Sequence, residues 1–154
     1  MPGRSIIVGS WVVFAVFAAI IVPDAAGLHA LDGTAVALSL VLFLAALVIW
    51  FYAFGLAIVR SARGDDIGVG GLFFLFGSAP SDVRRWLFGA LGASVVLGFA
   101  AATRNAYAAL EPMFPLALVG LWGARHGTFP PRQMPGATRA TTPRARAQRG
   151  GGGR

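Results

Sequence analysis

Charged positions divide this chain into four long apolar blocks. Ser5 to Val22 gives 18 residues without a charge and stops at Pro23-Asp24. Thr34 to Val59 gives 26 more and stops at Arg60. Val83 to Ala102 is interrupted only by Arg84 and Arg85 at its start, and Ala106 to Trp122 carries one charge, Glu111. A helix rises 1.5 Å per residue, so about 20 residues cross a ~30 Å hydrocarbon core. Lipid offers no partners to free backbone N–H and C=O groups, so spans are helices or closed barrels. A barrel would alternate apolar and polar positions over about ten residues. Unbroken runs such as Leu40 to Leu44 predict helices instead. The expected fold is therefore all-α: a polytopic transmembrane bundle of four helices, spans 5–22, 34–59, 83–102 and 106–122, in one domain over 1–123.

Two segments do not fit that frame. Ile67 to Pro80 contains 14 uncharged residues, including Leu72-Phe73-Phe74-Leu75-Phe76. That is short for a span, and the glycines at 68, 70, 71 and 77 disfavour a stable helix. An interfacial or re-entrant segment is expected, followed by Ser81 as the N-cap of the third span. Residues 124–154 hold seven Arg, four Pro, six Gly and no acid. This composition cannot bury enough apolar area to offset chain entropy, and it predicts a disordered cytoplasmic tail. The first block exceeds the 7–15 residue core of a signal peptide, so it is read as an anchor, with Ala25-Ala26-Gly27 as the competing cleavage site.

Composition supports the membrane reading. Hydrophobic residues make up 56% and charged residues 12%, against roughly 25% charged in a soluble domain. The net charge is +7, and all thirteen basic residues are Arg. With the N-terminus inside, Arg4, Arg60, Arg63, Arg84 and Arg85 face the cytoplasm, and Arg104 alone lies outside. The positive-inside rule favours that arrangement, with both termini in the cytoplasm of a cell-membrane protein. Trp86 and Trp122 would mark the inner interface and Tyr107 the outer one. There is no Cys, which excludes disulfides, thiol catalysis and Cys-ligated zinc.

Few residues could carry chemistry. Glu111 comes first, because an intramembrane carboxylate costs about 2.5–3.5 kcal/mol at the bilayer centre. Pro112 and Pro115 weaken the helix around it and expose the carbonyls of Ala108 and Glu111 as further oxygen ligands. A cation or proton site is one reading. The other is an ion pair with Arg104, seven residues earlier on the same face of a continuous helix. Gly89 with Ala93, Ala90 with Ser94, and Gly98 with Ala102 are small pairs four apart that let helices approach closely. Arg125 and Arg132 lie where anionic headgroups would attract them. Asp24, His29 and Asp32 match no metal or acid–base motif and read as solvated loop residues. No aromatic is interleaved with Arg139 to Arg154, so nucleic acid is not expected as a partner.

The segment Gly120-Leu-Trp-Gly-Ala-Arg-His-Gly-Thr-Phe-Pro-Pro-Arg132 resembles the tail of small uncharacterised multi-pass membrane proteins of actinobacteria, a group that brings no activity with it. The expected function is non-catalytic and without a cofactor: an accessory or scaffolding component of a membrane assembly. Its expected partners are the bilayer with its anionic headgroups, and other membrane proteins or a second copy. The alternative is a small transporter or channel subunit using Glu111.

Overall fold

The computed structural model describes residues 3–27 and 29–132, so the tail predicted over 133–154 lies outside the described residues. The chain is an all-α membrane bundle. Helix α1 spans Arg4–Ala25, α2 Asp32–Ala62, α3 Val69–Phe73, α4 Ser81–Ala101 and α5 Met113–His126. Two 3-10 segments, His29–Leu31 and Ala106–Leu110, precede α2 and α5. Among the described residues the only β pairing is an isolated bridge between Asp65 and Pro131.

Four segments are long and apolar enough to cross a membrane: Arg4–Ala25, Asp32–Ala62, Ser81–Ala101 and Ala106–His126. The helical ends extend past most of the charge-free limits, since polar residues continue a helix once it leaves the hydrocarbon. Helix α2 has 31 residues, about 46 Å at 1.5 Å each, and must tilt or project. Helix α4 begins at Ser81 itself. Pro80 holds the cap position with no side-chain bond, and the acidic residue of the first turn is Asp82.

The fourth span is broken rather than continuous. Pro112 and Pro115 have no N–H to donate, so the local bonding tightens to a 3-10 pattern. Glu111 N–H donates to Ala108 O at 3.3 Å, and Phe114 N–H donates to Glu111 O at 2.9 Å. The two carbonyls expected to be freed by the prolines are thus both occupied. The regular helix resumes when Leu116 N–H reaches Pro112 O.

This broken span forms the centre of the bundle. In its most apolar stretch 56% of residues are buried, against 22–28% in the other three spans. It can be central because it is built of small residues. A Cβ on Gly120 would collide with the Phe73 ring, and one on Gly123 would collide with the Leu72 carbonyl oxygen. Without a hydrophobic drive between helices in lipid, such backbone approach supplies the packing. The glycine-rich segment does form a helix, though only five residues long. Leu75 then takes a left-handed backbone, φ 53°, which turns its side chain fully into the core.

Trp122 is also in the core, 1% exposed, packed with Ile7, Leu75, Val83 and Leu87. It is no interfacial anchor, because α5 is surrounded and Gly3 lies against its ring. Trp86 and Tyr107 stay exposed. The outward surface is apolar, with Val48 and Phe51 of α2 exposed by 70% and 75%, as a lipid-facing helix requires.

Candidate functional site

Glu111 closes the 3-10 segment and sits at the junction with α5. It is fully buried. The fold places it there by close approach: Gly98 of α4 lies so near the 3-10 segment that a Cβ would stand 2.8 Å from Ala108 O and 3.3 Å from Pro112 Cδ. Directly below, Ser94 of α4, itself fully buried, donates its hydroxyl to Glu111 Oε1 at 3.1 Å. Glu111 Oε2 is buried with no hydrogen-bond partner among the described residues. Ser94 is seven residues from the end of α4, about 10 Å along the axis. The carboxylate is therefore inside the hydrocarbon level but enclosed by protein.

Arg104 is not its partner. Helix α4 ends at Ala101, and the turn closes with Arg104 N–H and Asn105 N–H both on Ala101 O at 3.0 Å. Asn105 Oδ1 then accepts from Tyr107 N–H and starts the 3-10 segment. The helix needed to bring residues 104 and 111 onto one face does not exist. Arg104 is exposed, and no ion pair joins it to Glu111 among the described residues.

Arg104 instead lines a cleft of about 420 Å³ at one end of the bundle, with Asp24, Asp32, Asn105 and Tyr107. Asp24 belongs to the last turn of α1 and is only 5% exposed, so it is not a solvated loop residue. No group of three His, Cys, Asp or Glu among the described residues could hold a metal ion.

The opposite end carries Arg4, Arg60, Arg63, Arg84, Arg85, Arg125 and Arg132. Arg60 organises it. Its Nε pairs with Asp65 Oδ2 at 2.8 Å, its Nη1 donates to Ala124 O at 3.0 Å, and its guanidinium lies 5.1 Å from the Phe129 ring centre. Asp66 N–H donates to Pro130 O, and Arg132 N–H to Gly64 O at 2.7 Å. Residues 124–132, expected to open a disordered tail, therefore pack against the α2 terminus. Their polar backbone finds partners there, which composition does not reveal. Arg125 is exposed, whereas Arg132 donates to Ser61 Oγ at 2.5 Å.

The small residues of α4 divide by face. Gly98 is in the buried stripe Val83, Leu87, Ala90, Ser94, Gly98, Ala101. Gly89 is exposed, 3.4 Å from Trp11 Cζ2 as a Cβ would measure it; Ala93 and Ala102 are half-buried. Sequence reasoning singled out Ser94 only for its size, and missed Arg60, Gly120 and Gly123. An Arg closing a span is a visible signal; a glycine in an apolar block is not.

No protein-family model matches this chain, and no curated protein or solved structure does either.

Proposed function

We propose that this chain is a non-catalytic component of a cytoplasmic-membrane assembly, with its Arg-rich end in the cytoplasm. The observation that supports it is the closed interior around α5. The buried carboxylate is held to α4 by Ser94 and serves to fix one helix against another, a common use of polar groups in membranes. Seven described Arg at one end against Arg104 at the other support the orientation. The test combines two measurements. Purified protein in liposomes should give no ion or proton flux above empty vesicles. Mild-detergent purification from its own membrane should recover a stable complex with defined stoichiometry. A monomer that conducts ions would overturn the reading.

A second reading rests on one atom. Glu111 Oε2 lacks a hydrogen-bond partner among the described residues, and an intramembrane carboxylate is a functional group by default. If it carries protons or cations, Glu111→Gln abolishes flux and leaves folding intact. Flux equal in wild type and variant removes Glu111 from the pathway.

A further inference from the structure

Arg84 and Arg85 of α4 border a groove of about 340 Å³ whose remaining wall is Phe74, Phe76 and Phe88. We propose that this groove is a binding site for an anionic phospholipid, the phosphate taken by the two guanidinium groups and the first acyl segments laid on the phenylalanines.

Three observations meet here. First, both arginines are exposed, and neither side chain forms a hydrogen bond or ion pair among the described residues. Arg60 and Arg132 at the same end are committed to protein partners, whereas Arg84 and Arg85 are adjacent in sequence and border one groove together. Second, both sit near the N-terminus of a 21-residue helix, where the backbone dipole is positive and a cation is misplaced unless an anion accompanies it. Asp82 is the acid of that turn; it is exposed and makes no ion pair with either arginine. Third, the wall beside them is apolar and ordered. Phe74 and Phe76 stack at 5.7 Å with 13° between planes, although exposed by 52% and 68%. Phe88 continues the wall into the core.

A soluble phosphate would use the arginines and leave three aromatic rings in water. A zwitterionic lipid would use the rings and bring a phosphate already balanced by its own ammonium, leaving the charge of two guanidinium groups uncompensated. An anionic phospholipid satisfies both halves, and Arg can hold its phosphate with paired N–H donors. The leaflet rich in such lipids is the cytoplasmic one, the side to which the proposed orientation assigns this end.

The test uses full-length protein in mild detergent, titrated by native mass spectrometry. The probes are phosphatidylglycerol, phosphatidylcholine with the same chains, and glycerol phosphate as the chain-free arm. Each arginine near the headgroup strengthens anionic binding about fivefold, so wild type should favour phosphatidylglycerol over phosphatidylcholine by about thirtyfold. The double variant Arg84→Gln/Arg85→Gln should lose nearly all of that preference. Arg125→Gln should keep it. Phe74→Ala/Phe76→Ala should weaken both lipids while keeping the preference between them. Each variant's melting temperature is measured alongside, and the single glutamine variants, about fivefold each, replace the double if it does not fold. A preference unchanged without the two arginines overturns the proposal and leaves them to an acidic protein partner. Displacement of phosphatidylglycerol by equimolar glycerol phosphate overturns it too, since the rings would then contribute nothing.

Discussion

Ser94 donates its hydroxyl to Glu111 Oε1 across 3.1 Å, joining α4 to the point where the fourth span breaks. The bond explains how a carboxylate is kept at a depth where lipid would exclude it. It also makes the two residues one energetic unit. Ser94→Ala should destabilise the bundle by about 1 kcal/mol, the range of interhelical hydrogen bonds in membranes. In a cycle of Ser94→Ala with Glu111→Gln, a coupling of about 0.5–1.5 kcal/mol is expected, measured by unfolding in mixed detergent micelles. Strict additivity would mean that the hydroxyl contributes nothing to holding Glu111.

The helical glycines should differ by what faces each one, two of them buried and Gly92 exposed. Gly123 meets the Leu72 backbone oxygen, Gly98 meets the Ala108 oxygen at 2.8 Å, and Gly92 has nothing within 4 Å. Alanine at 123 or 98 forces backbone apart and should cost about 1–3 kcal/mol. Gly92→Ala should be neutral or stabilising, because alanine favours the helix. Melting temperatures of the three variants decide it; a loss at Gly92 equal to that at Gly123 would show that backbone approach is not what these positions need.

Arg60 ties the α2 terminus to residues 124–132. The pair with Asp65 is about a quarter to a third exposed, 27% and 32%, so screening keeps its own worth to about 1 kcal/mol or less. Arg60→Ala should therefore leave the bundle folded but loosen the segment after α5. Limited proteolysis in detergent should cut the variant after Arg125 faster than wild type, and raising salt should speed the cleavage of wild type toward that of the variant. Unchanged cleavage would locate the anchoring in the backbone bonds alone.

Sidedness can be read chemically, because the chain has no Cys. Thr103→Cys lies beside Arg104 and Ala62→Cys beside Arg63, at opposite ends of the bundle, and both positions are exposed. With the Arg-rich end in the cytoplasm, an impermeant maleimide should label intact cells only at 103, and label 62 only after permeabilisation. The reverse pattern would invert the proposed topology.

The four spans were legible because a bilayer acts on each block separately: length and absence of charge decide whether a helix can sit in hydrocarbon. Residues 124–132 show the weakness of composition alone. Gly127 to Arg132 falls in the stretch expected to be disordered, yet Asp66 and Ser78 hydrogen-bond to it and Arg60 lies over its Phe129 ring, from positions 50 to 70 residues away.

What the sequence determined by itself is the four apolar spans, the weakening of the fourth at Pro112 and Pro115, and the gathering of arginine at one end. All three are local properties: hydropathy over a window, a missing N–H, a count of charges. Only the tertiary structure decided that the least apolar span is the central one, that Trp122 is core, and that Glu111 faces Ser94 rather than Arg104. Those outcomes depend on which face of each helix meets another. In lipid that choice is made by shape and backbone approach at residues such as Gly98, Gly120 and Gly123, whose partners lie far along the chain and leave no periodic mark in an apolar block.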